Sequence, residues 1–106
     1  MVKRFEIWQI NLNPTQGSEI NKTRPCLIVS PNEINKFLNT VVILPLTSKL
    51  KPYPTRLDCT FQGKSGQLVV DQIRCIDKSR LIEKIGILDV NSCKSICDLM
   101  METFKL

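Results

Sequence analysis

Histidine is absent from this chain. Its absence removes the side chain that most often moves protons at neutral pH and the commonest metal ligand. Long apolar runs are missing as well, and none approaches the ~20 residues that span a bilayer as a helix. The N-terminal segment MVKRFEIWQINL starts basic and then alternates charged with apolar residues, so it has no signal-peptide core. Both points lead to a cytoplasmic reading with no membrane partner. Five cysteines, an odd number, stand at Cys26, Cys59, Cys75, Cys93 and Cys97, and no two form a CxxC pair. Structural zinc sites use closely spaced ligand pairs, so we expect no metal and no cofactor. The cysteines read as small hydrophobes in a reducing compartment, with Cys93 and Cys97 sharing one helix face. Repeats, low-complexity segments and an inter-domain linker are also lacking.

What is present suits a single domain. A chain of 106 residues buries roughly 65% of the surface it exposes when unfolded, enough for one core without staples. The hydrophobic fraction of 42% and a mean hydropathy of -0.04 are those of a globular protein. Fifteen Lys and Arg against ten acids leave a net charge of +5. That balance suits a polyanionic ligand or an acidic protein partner, and equally a plain solubilising surface.

Hydrophobic periodicity predicts mostly strands. Phe5 to Leu12 alternates apart from Ile7-Trp8. Cys26 to Ser30 is a short apolar run between Pro25 and Pro31 and reads as a buried strand. NEINKFL places Ile34, Phe37 and Leu38 at helical spacing, with Asn32 as N-cap. Thr40 to Leu46 is dense in β-branched residues and reads as a central strand, Pro45 marking an edge position or bulge near its end. Thr55 to Phe61 and Gln67 to Ile76 form a hairpin joined by the five residues Gln62 to Gly66. Leu81 to Leu88 is a short strand or irregular bridge. From Asp89 onward, Val90, Cys93, Ile96, Cys97, Leu99, Met100, Met101 and Phe104 describe an amphipathic helix capped by Asp89 or Asn91. The predicted fold is mostly β with α: a strongly curved antiparallel sheet or small barrel, a short connecting helix, and a C-terminal amphipathic helix packed on the sheet.

Polar groups at strand ends are the candidate chemistry. The loop NPTQGSEINKTRP, Asn13 to Pro25, carries Glu19 and Arg24 between two apolar runs. Taken alone it reads better as an ordinary solvated connection with an incidental ion pair. Thr47-Ser48 follow the central strand, and Asp71-Gln72 interrupt the apolar run that begins at Leu68. If the strands pair as read, these groups meet over one end of the sheet. Arginine, carboxylates and hydroxyls without a His or Cys nucleophile form a phosphate-handling set. For Asp71 a structural pairing with an arginine is as good a reading as a role with substrate.

The segments IWQINLNPTQGSEINKTRPCLIVS (Ile7 to Ser30), ILPLTS (Ile43 to Ser48) and GQLVVDQIRCIDKSRL (Gly66 to Leu81) resemble MazF/PemK-type toxins, the mRNA-cleaving members of bacterial toxin–antitoxin pairs. The resemblance covers nearly the whole length and implies one toxin domain over residues 1–106. It implies an SH3-like β-barrel with a C-terminal helix, acting as a homodimer. The implied function is a metal-independent, sequence-specific endoribonuclease that cuts single-stranded RNA and is inhibited by a cognate acidic antitoxin. On this resemblance Arg24 and Thr47 match catalytic positions. Glu19 matches an acidic position that orients Arg24 or takes the 2′-proton. Asp71 and Gln72 match the strand that reads a base or holds Arg24. The segment Ser48 to Arg56 is where relatives differ, and its Ser48, Lys49, Lys51, Tyr53 and Arg56 offer charge and one stacking surface to a splayed strand. Trp8 and Phe61 are assigned to the core.

One departure is Phe5-Glu6 where relatives open the first strand with Gly-Asp. The competing reading is a non-enzymatic toxin of the same fold that poisons DNA gyrase. Gyrase-poisoning relatives depend on a tryptophan near the C-terminus. This chain ends Thr103-Phe104-Lys105-Leu106, and its only tryptophan is Trp8.

Overall fold

The computed structural model describes residues 1–106. Its strands are β1 (Glu6–Asn11), β2 (Thr23–Ile28), β3 (Thr40–Thr47), β4 (Arg56–Phe61), β5 (Lys64–Val69), β6 (Arg74–Asp77) and β7 (Leu81–Ile87). The helices are a one-turn α1 (Asn32–Asn35) and the terminal α2 (Val90–Phe104). The seven strands pair antiparallel in the order β4-β5-β3-β2-β1-β7, with β6 also on β3. Edge strands β4 and β7 share no ladder, so hydrogen bonding leaves the sheet open. Their ends approach through side chains. Phe61 lies so close to Gly86 that a Cβ there would stand 2.7 Å from its ring, and Gln62 Nε2 donates to Ile85 O at 3.4 Å.

The apolar run of β2 serves two cores at once. Leu27 and Val29 join Ile7, Leu44, Leu68, Val70 and Ile96 on the face covered by α2. Cys26 and Ile28 join Ile10, Leu12, Val41, Ile43 and Ile76 on the other. A strand buried on both faces reads as continuous hydrophobicity, and successive side chains divide between the two clusters.

Several local expectations are corrected. The connection between β4 and β5 is two residues, not five. Gln62 and Gly63 both take positive φ, 52° and 75°, the turn whose twist matches a tight hairpin. The expected strand Gln67 to Ile76 is broken by a 3₁₀ turn over Val70–Gln72, which lifts Asp71 and Gln72 out of the ladder. Asn32 does not cap α1; the cap position is Pro31, and Asn32 Oδ1 accepts from Arg4 N at 2.8 Å. The residue that α1 buries is Asn35, paired with Ser30, while Ile34, Phe37 and Leu38 are exposed. Asp89 does cap α2, its carboxylate accepting from Ser92 N at 3.0 Å. No helix is long and apolar enough to cross a membrane.

Glu6, the departure noted above, is 5% exposed. Its carboxylate accepts from Trp8 Nε1 at 3.0 Å and Lys3 N at 2.8 Å, and pairs with Lys84 Nζ at 2.9 Å. It ties β7 to β1.

Candidate active site

The site begins where two strands part. β2 and β3 are in register through Ile28↔Ile43, Leu27↔Leu44 and Cys26↔Pro45, and there the ladder stops. Val29 N donates to Val42 O, so by alternation the backbone groups of Leu27 and Pro25 also face β3. Pro25 has no N–H to offer, and the ladder cannot be carried past it on that side. Beyond this point β2 continues on β1, with Arg24↔Ile10. β3 turns instead to β5, with Thr47↔Gln67. Extended by two steps, the β2–β3 register brings Arg24 opposite Thr47 across the cleft so opened.

Arg24 and Thr47 line both hollows that flank this cleft. The smaller, about 220 Å³, is bordered by Arg24, Lys49, Lys51 and Arg56, with Glu19 its single carboxylate. Gln72 is on its wall too. The larger, about 350 Å³, is bordered on one side by Ser48.

The guanidinium of Arg24 is half committed. Nε donates to Asn21 O at 3.1 Å, and the terminal nitrogens make no hydrogen bond or ion pair within the chain. Thr47 Oγ1 accepts from Lys49 N at 3.2 Å, which leaves its own O–H free to donate. Thr47 is 6% exposed, a hydroxyl held in place by the strand that carries it. Glu19 is exposed and not ion-paired to Arg24; its Oε1 accepts from Gln16 N at 2.5 Å.

The long loop bearing Glu19 is fastened at its base and its middle. Leu12 N donates to Lys22 O at 3.0 Å, and Lys22 N to Asn13 Oδ1 at 3.0 Å. Arg74 reaches Leu12 O at 3.1 Å, and Arg80 reaches Asn11 O at 3.1 Å and Asn13 O. Gln72 Oε1 accepts from Ile20 N at 2.7 Å, so this side chain holds the loop beside Arg24.

Asp71 takes a different direction from its neighbour. It pairs with Arg56 (Nε–Oδ1 3.2 Å) and accepts from Thr55 Oγ1 at 2.8 Å. Partial burial pushes its carboxyl up. The Thr55 hydroxyl and the Arg56 guanidinium outweigh that and hold it below the usual carboxylate range. The Tyr53 ring lies 5.2 Å from the Arg56 guanidinium carbon and borders neither hollow. It braces a cation of the site.

Sequence reasoning passed over two residues here. Gln67 is buried and clamps the basic loop with both ends of its amide: Oε1 accepts from Lys51 N at 3.0 Å and Nε2 donates to Lys51 O at 3.0 Å. Gly66 passes against β3 so closely that an added Cβ would lie 2.8 Å from Thr47 O. A glycine and a polar residue just before the apolar run Leu68-Val69-Val70 were the available signals. The cysteines line neither hollow. Cys26 is buried, and burial pushes its thiol up to about 12; no three acidic or Cys side chains gather as a metal-holding group.

Comparison with known proteins bears on the family and the fold. A family model described as a PemK-like, MazF-like toxin of type II toxin–antitoxin systems matches residues 3–104. Endoribonuclease MazF9 of Mycobacterium tuberculosis is 34% identical over 96 residues, covering 81% of each chain. Endoribonuclease MazF of Staphylococcus saprophyticus is 29% identical over 102 residues, covering 91% of this chain and 85% of its own. Among solved structures, MazF from Deinococcus radiodurans superposes with a TM-score of 0.86 at 23% identity, over 99% of this chain and 97% of its own. A mycobacterial endoribonuclease in complex with its cognate antitoxin gives 0.83 at 20% identity, over 100% and 99%.

Proposed function

This chain belongs to the PemK-like, MazF-like toxin family of type II toxin–antitoxin systems, and from that premise we propose that it is a sequence-specific endoribonuclease. It cleaves single-stranded RNA without a metal ion. The observation that carries the reading is the cleft itself: a guanidinium with free terminal nitrogens and a hydroxyl with a free O–H border the same two hollows.

The RNA supplies its own nucleophile. A 2′-oxygen attacks the adjacent phosphorus and gives up its proton; the 5′-oxygen leaves and gains one. The products are a 2′,3′-cyclic phosphate and a free 5′-hydroxyl. Negative charge builds on the non-bridging oxygens in between, which is where donors fixed in advance contribute most. Arg24 grips two of those oxygens with its terminal nitrogens. Thr47 donates its O–H to the same phosphate. Glu19, across the cationic hollow, takes the 2′-proton or orients Arg24. Gln72 keeps the Glu19 loop in place, and Lys49, Lys51 and Arg56 draw in the flanking backbone.

The same cationic lining suits a cognate antitoxin with an acidic, disordered segment that covers the hollow and excludes RNA. Exposed Ile82 and Ile87 on the unpaired edge of β7, and Met101 and Phe104 on α2, support assembly as a homodimer. The gyrase-poison reading gains nothing from the fold. Trp8 lies in β1 with its indole N–H bonded to Glu6, and α2 carries no tryptophan.

The test is to incubate the protein with a long RNA in EDTA and map the new ends. The reading requires cuts at a recurring short sequence, with cyclic-phosphate 3′ ends and hydroxyl 5′ ends. Intact RNA, or cutting that returns only with a divalent ion, contradicts it.

A further inference from the structure

The larger hollow has no part in the steps above, and its chemistry differs from that of the cationic one. Leu46, Phe61 and Ile85 give it an apolar surface, and Gln9, Gln62 and Lys64 stand around it. The cationic hollow has a single apolar contributor, Ile20. At about 350 Å³ the larger one has the size of a small-ligand pocket.

Its polar groups are under-used. Gln9 Oε1 is shut off from water and has no hydrogen-bond partner, a state that buried acceptors rarely keep unless something else supplies a donor. Gln62 spends one N–H on Ile85 O at 3.4 Å, leaving its carbonyl oxygen and a second N–H. Lys64 forms no ion pair. An apolar, partly aromatic surface edged by carboxamides matches a nucleobase: ring faces pack on the hydrocarbon, and an amide's adjacent donor and acceptor meet the base edge.

Position narrows the base to two. Arg24 and Thr47 form the wall common to both hollows. A phosphodiester held on that wall has one nucleotide to either side, so the strand crossing it leaves successive nucleotides in different hollows. We propose that the larger hollow is a base-reading subsite for one of the two nucleotides flanking the cut. In it Gln9 and Gln62 determine specificity and Lys64 contacts the neighbouring phosphate. This inference rests on the endoribonuclease reading.

The experiment compares kcat/KM on short RNAs carrying the wild-type cut sequence and every substitution at the two flanking positions. The wild-type protein, Gln9→Met, Gln62→Ala and Lys64→Ala are run in parallel with sedimentation of each. Gln62 and Lys64 are exposed hairpin residues and Gln9→Met keeps the side-chain length, so the variants fold. Expected is a loss of about tenfold in discrimination at one flanking position, the same one for Gln9→Met and Gln62→Ala. Lys64→Ala lowers kcat/KM for all sequences alike and flattens its salt dependence. Unchanged discrimination at both positions overturns the subsite. So does a change of oligomeric state with the cut profile intact, which would make the hollow an interface between copies. A wild-type protein that cuts no RNA removes the underlying reading and the subsite with it, and that outcome is distinct from the other two.

Discussion

Gly66 and Thr47 are in such close contact that a methyl group on the glycine would stand 2.8 Å from the threonine carbonyl oxygen. The obstacle is backbone, which cannot swing aside like the end of a flexible side chain. Gly66→Ala therefore pushes β5 off β3 at Thr47, whose hydroxyl we propose acts on the phosphate. Overpacking of this kind costs about 1–3 kcal/mol, and a displacement near 1 Å at reacting groups costs on the order of 100-fold in rate. We expect Gly66→Ala to remain folded by circular dichroism and to lose activity far out of proportion to its fall in Tm. Full activity would mean that the position of Thr47 is not critical.

Arg24 is half-buried at the edge of a cleft, and the only bond its side chain makes within the chain is to Asn21 O. Arg24→Ala should therefore leave the fold nearly as stable as before while lowering kcat by roughly 100- to 1,000-fold, the usual cost of removing a donor to developing charge. Arg24→Lys keeps the charge without the two-pronged grip, so it restores only a small part. A lysine variant as active as the wild type would reduce the role to charge alone.

We propose that Asp71 acts through Arg56. The carboxylate holds the guanidinium at 3.2 Å, and the Arg56 side chain, 9% exposed, has little room to find another pose. Asp71→Asn should raise KM several-fold with kcat nearly preserved. Arg56→Ala should do the same, and the double variant should be little worse than either. A fall in kcat without a change in KM would place Asp71 at the reacting atoms instead.

Glu6 predicts an acid sensitivity. Burial pushes its carboxyl up, but Lys84, the Trp8 indole and the Lys3 amide outweigh that and hold it below its ordinary value. A carboxyl depressed in the folded state stabilises the fold above its unfolded pKa, about 4.3. That contribution disappears as the pH falls through the folded value. Melting curves between about pH 5 and pH 3 should show Tm falling with pH, and less steeply for Glu6→Gln. At neutral pH the substitution should cost about 1–3 kcal/mol. Equal slopes for the two proteins would show that the Glu6 network adds no acid-labile stability.

Much of the fold was legible because apolar patterning is local. Thr40 to Leu46 reads as a strand without reference to anything else, and the run Cys26 to Val29 is continuous because its side chains alternate between two cores. The misread parts depend on partners distant in sequence. Lys64 and Ser65 look like turn residues, yet they pair with Phe61 and Thr60 across a two-residue turn. Val70 to Gln72 lies within an apolar stretch but turns so that β6 can reach the other half of β3. In the site, Arg24 and Thr47 stood out as polar groups at strand ends. Nothing in the order of residues, however, says that Asp71 faces Arg56 while Gln72 faces the Glu19 loop. Periodicity is equally silent on a cleft that opens because Pro25 ends a ladder.

The most direct measurement uses an RNA oligomer with a single 2′-deoxyribose at the mapped cut position, assayed beside its all-ribose parent. If the ribose hydroxyl is the nucleophile, the substituted strand binds with similar affinity and is not cut there, while the parent is cut to a cyclic phosphate. Scission of the deoxy-substituted strand at that position would show that water or a protein group attacks the phosphorus, and would contradict the account.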